Sequence, residues 1–249
     1  MRRRAAPGTR RGRGAGRCTG PNAGAAGQWV GIQQGRLHTA PTRILQGNSI
    51  NGSALAGIRK TSGYVLNNWT SSQSATTAID GGTFSNVDVG VLVTDATNYS
   101  GPVDGALVTN VAFSNIAIGA VYVEDTNEVP GSPAVTIGTG NTYSSVAHEL
   151  VLSGVAPAVS FSGIAGVNTV LVRAAGNYFF GNLNAGPCNA TQCTVGNASI
   201  NAGIAAAAAG GSVFIEQGTF DEMGVIGTGK DGLRLTAADP NNQPTLTRL

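Results

Sequence analysis

The feature that most constrains the fold is a repeat of about 29 residues. Residues 84–90 (FSNVDVG) line up with residues 113–119 (FSNIAIG) at a spacing of 29, and a weaker copy, YSSV, begins at residue 143. Each copy has an aromatic residue, two small polar residues and then an alternating apolar pattern typical of a strand. A unit this short cannot bury its own apolar side, so the repeat predicts stacked copies that share one core.

Stacking in register gives the equivalent residues of each copy a structural role. Phe84, Phe113 and Tyr143 are predicted to form an aromatic stack. Asn86 and Asn115 are predicted to form an amide ladder at a corner, with each side chain bonded to its neighbour on the next strand about 4.8 Å away.

Three segments carry a resemblance to a known family: GGTFSNVDVGVLV (81–93), TNVAFSNIAIGAVYV (109–123) and VTIGTGNTYSSV (135–146). They resemble the pectin-lyase-like superfamily of right-handed parallel β-helices, over roughly residues 44–183. The resemblance implies an all-β fold, a right-handed parallel β-helix (solenoid), for residues 44–187.

A second structural unit is predicted to begin within residues 188–249. Ser199 is a candidate N-cap, Ile200 and Ile204 lie four residues apart, and two glycines follow at 210 and 211, which predicts a short capping helix near 199–209. The residues after it are similar to the entry of many β-helix domains. The segment is therefore expected to be a linker plus the start of a second, truncated β-helix unit, and the chain a fragment of a longer repeat protein.

Charge is divided unevenly along the chain. Residues 1–60 hold eleven of the fifteen Lys and Arg and no acid, whereas residues 61–249 hold four basic and thirteen acidic residues, a net charge of −9. Residues 1–28 hold seven Arg and no aliphatic residue larger than Ala, too little apolar surface to offset the entropy of ordering, so residues 1–43 are predicted to be a disordered basic leader. Residues 1–28 contain no Lys and no aromatic residue to stack on bases, and nucleic acid is not an expected partner.

One set of carboxylates is the strongest candidate for a ligand site. Asp95 and Glu124 are 29 residues apart, with Asp125 beside Glu124. Stacked on adjacent strands, they could bind Ca²⁺, contact a polysaccharide or, at retaining-glycosidase separation, act as a catalytic pair. The alternative is that these acids solvate the loops after each strand. No cofactor other than Ca²⁺ is expected.

Two further pairs of residues are candidates outside the repeat. Tyr64 and Trp69 are candidates for stacking on a sugar ring, the alternative for Trp69 being a cover over one end of the strands. Cys188 and Cys193 are expected to form a disulfide, with free thiols as the alternative, and a disulfide fits an extracellular setting.

The catalytic motifs of polysaccharide lyases and hydrolases of this superfamily are not found, so no catalytic residue is assigned. No signal peptide and no membrane-spanning segment is predicted. The expected function is a non-enzymatic, secreted or cell-surface, bacterial repeat protein for polysaccharide binding or adhesion, capable of end-to-end association through exposed coils. The alternative is a fragment of a polysaccharide lyase, glycoside hydrolase or pectinesterase-like enzyme with its active residues outside this chain.

Overall fold

The computed structural model describes residues 29–34, 42–51, 61–67, 76–94, 105–126, 132–154, 157–177 and 194–248. One helix, α1 (Ile200–Ala206), is found in these ranges, and every other regular element is a strand. The strands in chain order are β1 (Trp29–Gln34), β2 (Thr42–Asn51), β3 (Thr61–Asn67), β4 (Thr76–Ser85), β5 (Val89–Thr94), β6 (Gly105–Thr109), β7 (Ala112–Ile116), β8 (Gly119–Asp125), β9 (Ala134–Ile137), β10 (Thr142–Val146), β11 (Leu150–Gly154), β12 (Ala158–Phe161), β13 (Val167–Val172), β14 (Gly176–Asn177), β15 (Thr194–Val195), β16 (Ala207–Ile215), β17 (Thr219–Phe220), β18 (Arg234–Ala237) and β19 (Thr245–Leu246).

An eight-stranded parallel sheet has the order β1-β3-β5-β8-β11-β13-β16-β18. Its central strands are rich in Val, Leu and Tyr, and every residue of β5, β8 and β11 is buried. Parallel sheets are usually covered on both faces, which is why such strands read as continuous apolar runs.

A seven-stranded sheet branches at β4. Residues 76–80 of β4 pair with β6, whereas residues 83–85 pair with β7, so that β6, β9 and β12 form one branch and β7 and β10 form the other. The long strand β2 pairs with β4 along its whole length.

The main core contains residues of both large sheets and of α1. Phe84 and Phe113 from the branched sheet, Val121 and Val123 from the eight-stranded sheet and Ile204 from the helix all belong to this cluster. A second buried cluster, which includes Leu92, Tyr122 and Val151, lies apart from it.

The expected fold class is wrong. The structure is a parallel-sheet fold with two large sheets and one helix in the described residues, not an all-β right-handed parallel β-helix (solenoid). The coarser expectation of mostly parallel strands is confirmed, since all strand pairs except β14–β15 among the described residues are parallel.

The physical reason is that a repeat determines pairing between copies and not the arrangement within a copy. Phe84 pairs with Phe113 and Phe113 with Tyr143, as the 29-residue spacing requires. However, β2 and β4 are continuous strands of ten residues, whereas the later copies are divided into two shorter strands. In the described part of the copy that contains β12 and β13, no strand corresponds to β7 or β10.

The predicted N-cap of the helix is confirmed. Ser199 accepts a hydrogen bond from the backbone N–H of Ala202 with its side chain, and Ile200 and Ile204 are both buried. The helix ends at Ala206, and β16 begins at once, before the two glycines that were expected to end the helix.

The division of the chain at residues 43/44 and 187/188 stays a prediction. Strand β1 lies before the first of these boundaries, and β16 pairs in parallel with β13 across the second, as the next strand of the same sheet.

Candidate functional site

Two of the three residues of the predicted carboxylate site, Glu124 and Asp125, lie in the described part of the chain. Glu124 and Asp125 end strand β8, and both side chains are buried, with 0% and 1% of their surface exposed. Thr94, opposite Glu124 in the sheet, donates a hydrogen bond from Oγ1 to Glu124 Oε1 at 3.1 Å. Asp95 lies outside the described residues, so calcium or glycan contact at this set stays a prediction. In the described part of the chain, no group of three His, Cys, Asp or Glu side chains could hold a metal ion.

Glu124 belongs to a polar row that crosses the carboxyl ends of five strands. The polar row follows the sheet register and consists of Thr94, Glu124, Ser153, Arg173 and Glu216. In each of these five strands, the member of the polar row comes directly after the apolar residues of the strand. The row therefore lies next to the buried surface of the sheet.

Arg173 connects the polar row to a buried tyrosine. Its Nε lies 3.0 Å from Glu216 Oε1, and its Nη1 donates to the Tyr122 hydroxyl at 2.7 Å. Tyr122 has no exposed surface. The sequence analysis missed this contact because Arg173 and Tyr122 are 51 residues apart, and Arg173 follows β13, which is not a neighbour of β8 in the sheet.

The environment fixes the charge of both partners. Burial, together with Glu124, raises the pKa of Tyr122 far above its usual range. Although burial opposes it, the Tyr122 hydroxyl and the Glu216 carboxylate raise the pKa of Arg173. Tyr122 therefore stays protonated and Arg173 stays charged at any ordinary pH. Neither can act as a general base, and their arrangement suits a structural tie between strands.

The three aromatic residues of the repeat lie one beside the next in the core. The Phe84 and Phe113 ring centroids are 5.8 Å apart in an edge-to-face arrangement, and the Phe113 and Tyr143 rings are stacked at 5.6 Å. Phe84 and Phe113 are 1% exposed and Tyr143 is half-buried. These side chains point into the protein and leave the opposite side of their strands to polar residues.

The corner after these aromatic residues is held by amides in a left-handed conformation. Asn86, Asn115 and Ser145 have φ values of 55°, 52° and 53°, in the region that Asn tolerates better than most residues. The Asn115 Nδ2 donates to Asn86 Oδ1. At two of the three corners the sequence therefore places an asparagine, which tolerates this backbone conformation, and the two asparagines bond to each other.

An uncharged polar surface lies on the outer side of the β4–β7–β10 branch. We call it the hydroxyl–amide face, and it consists of Thr83, Ser85, Asn86, Ser114, Asn115, Thr142, Ser144 and Ser145, each half-buried or exposed. The register places Ser85, Ser114 and Ser144 in one row across the three strands. The signal was present in the sequence, because each copy of the repeat carries a hydroxyl directly after its aromatic residue.

A second polar cluster caps the helix. Glu222 accepts hydrogen bonds from Ser199 Oγ at 2.8 Å, from the Ile200 backbone N–H at 2.7 Å and from the Asn201 side chain at 2.6 Å. Although partial burial opposes it, these hydrogen bonds lower the pKa of Glu222. An open cavity of about 240 Å³ lies beside it and is lined by Asn197, Ala198, Ser199, Phe220, Asp221 and Glu222.

The side chains of the remaining predicted site residues lie outside what the structure describes. Trp69, Cys188 and Cys193 lie outside the described residues, and of Tyr64 only the backbone is described, in strand β3 opposite Val91. Sugar stacking by the two aromatic residues and the disulfide stay predictions.

Comparisons with protein families, with curated proteins and with solved structures find no match for this chain. Among the described residues, no helix is both long and apolar enough to cross a membrane.

Proposed function

We propose that this chain is a non-catalytic, secreted or cell-surface protein that binds polysaccharide through the hydroxyl–amide face. One observation carries the proposal: hydroxyl and amide side chains lie in register on the outer side of neighbouring parallel strands, and no charged side chain is among them. Hydroxyl groups both donate and accept hydrogen bonds, and so do the hydroxyl groups of a sugar.

The support beneath this face favours recognition. The aromatic stack of Phe84, Phe113 and Tyr143 fixes the inner side of the same strands, and the left-handed corner fixes their ends. Binding groups on packed strands lose little conformational freedom when they meet a ligand, and the affinity is correspondingly higher. A relationship to the pectin-lyase-like superfamily in the repeat pattern quoted above is part of this proposal, and it does not extend to the β-helix fold.

The test is affinity electrophoresis and calorimetry of the full chain with a panel of neutral and acidic polysaccharides. Ser114→Lys places a long charged side chain at the centre of the hydroxyl–amide face. Ser160→Lys is the matched control, because Ser160 is an exposed serine on β12, in the other branch of the same sheet. We expect Ser114→Lys to weaken the binding by about tenfold or more, the loss of one or two net hydrogen bonds, and Ser160→Lys to leave it unchanged.

Equal effects of the two variants would place binding elsewhere and overturn the proposal. Failure of the wild-type chain to bind any polysaccharide of the panel would overturn it as well. Urea unfolding of both variants shows whether they remain folded.

A further inference from the structure

We infer that the ligand of the hydroxyl–amide face is a neutral, extended glycan that crosses the strands with one sugar unit on each strand. This inference rests on the proposed function and adds the class and the direction of the polymer. It follows from the spacing of the rows, from the one apolar position within them and from the charge around the face.

The spacing of the rows favours a polymer that runs across the strands. Neighbouring strands are about 4.8 Å apart, close to the length of one pyranose unit in an extended, equatorially linked chain, whereas side chains on the same side of one strand repeat at about 6.8 Å. Across the strands, the row of Ser85, Ser114 and Ser144 offers a hydroxyl at each step. Along a single strand, only two positions precede the corner.

The neighbouring row has an apolar centre. Thr83, Ala112 and Thr142 are in register, and Ser49 of β2 extends this row to a fourth strand. A methyl group between two threonines suits the C–H side of a sugar ring that lies flat over it. The alternation of hydroxyl and methyl groups across the row is what a polymer with both polar edges and apolar ring faces requires.

The charge around the face favours a neutral polymer. No member of the hydroxyl–amide face is charged. An acidic polysaccharide would find no Arg or Lys in the face to pair with its carboxylates.

The experiment is a length series of β-1,4-linked glucose oligosaccharides from two to six units, with oligogalacturonates of the same lengths as the acidic comparison. For the wild-type chain, we expect the affinity to rise about fivefold for each added glucose, the value of one net hydrogen bond, and to level off at about four units, one for each of β2, β4, β7 and β10. We expect the oligogalacturonates to bind at least about tenfold more weakly at every length.

Two variants test the direction of the polymer. Ser144→Lys blocks the end strand β10, so the rise should stop one unit earlier while the shortest oligosaccharides keep their affinity. Ser114→Lys blocks β7 and leaves only β2 and β4 as unblocked neighbours, so the rise should stop at about two units, and Ser160→Lys should reproduce the wild-type series.

Three results would overturn the inference: affinity that does not depend on length, equal or tighter binding of oligogalacturonate, or a Ser144→Lys effect that is the same at all lengths. If Ser114→Lys still abolishes binding of an acidic or branched glycan, the proposed function stands and only this inference fails. If no glycan binds, both fail.

Discussion

Arg173 donates a hydrogen bond of 2.7 Å to the hydroxyl of Tyr122, although strand β11 lies between the strands that carry them. The guanidinium thus reaches across β11 and joins β8 to the end of β13. Its Nε also pairs with the carboxylate of Glu216, the residue directly after β16. The Arg173 side chain therefore connects three strands of the eight-stranded sheet, β8, β13 and β16, at the polar row.

Tyr122→Phe is expected to lower the free energy of unfolding by about 1–3 kcal/mol, because it leaves the Arg173 guanidinium without one of its acceptors next to a buried surface. Urea unfolding followed by circular dichroism measures the change. Tyr143→Phe is the matched control: the Tyr143 hydroxyl is buried and has no hydrogen-bond partner among the described residues. That variant should be neutral or slightly stabilised, and an equal loss in the two variants would contradict the role of the Arg173 contact.

Gly90 leaves room for the central ring of the aromatic stack. A Cβ at this position would lie 2.5 Å from Phe113 Cε1 and 2.6 Å from the Ala120 carbonyl oxygen. Gly90→Ala should therefore cost about 1–3 kcal/mol of unfolding free energy through overpacking.

Gly227→Ala is the control for this prediction, since nothing lies within 4 Å of its Cβ position. It should change the stability by less than about 0.5 kcal/mol. If both glycine variants unfold at the same urea concentration, Phe113 does not pack against β5 as described.

The sequence predicted pairing between repeats better than it predicted the fold. The 29-residue spacing identified Phe84 and Phe113 as neighbours because a parallel pairing in register requires it. It could not show that the repeats are divided between an eight-stranded sheet and a branched one, since that depends on where each strand bends. The alternation of Val87, Val89, Val91 and Val93 predicted one buried face. Val87, Val91 and Val93 do belong to the main core, whereas Val89 lies with Leu92 in the second cluster.

The candidate site was harder to predict for a related reason. The hydroxyl–amide face consists of Ser and Thr residues, which are common on any exposed strand, and only the register shows that Ser85, Ser114 and Ser144 form a row. The contact between Arg173 and Tyr122 joins residues far apart in sequence, and no spacing rule applies to it. Local signals did better: Ser199 was identified as the N-cap from its position before an apolar pair.

The stability is expected to fall in mild acid through His148. Burial lowers the pKa of this imidazole, whose ring lies 5.1 Å from that of Phe214 and whose Nδ1 is buried without a hydrogen-bond partner among the described residues. A folded pKa below the unfolded value of about 6.5 means that the unfolded chain binds the proton first. The contribution of His148 is thus fully present above about pH 6.5 and is lost as the pH falls toward the folded pKa.

Urea midpoints at pH 7.5 and pH 5.5 measure this effect. His148→Gln removes the titrating group, so its midpoint should fall less between the two pH values than that of the wild-type chain. An unchanged difference between the two pH values in His148→Gln would show that other groups cause the acid sensitivity.

Glu222 is expected to stabilise the folded chain above the pH range in which carboxyl groups titrate. Its folded pKa is lowered, so its contribution is present above the ordinary value of about 4.3 and is lost as the pH falls through the folded pKa. Glu222→Gln keeps the shape but loses the charged acceptor of Ser199 and of the Ile200 backbone N–H, and should cost about 1 kcal/mol at pH 7. The loss should shrink at pH 3.5, because this pH lies below the ordinary carboxyl pKa of about 4.3 and the unfolded wild-type chain there binds a proton at Glu222. Asp221→Asn is the control, because Asp221 pairs with Arg248 at an exposed site where an ion pair contributes little. A larger effect of Asp221→Asn than of Glu222→Gln would show that the helix cap does not stabilise this end of the chain.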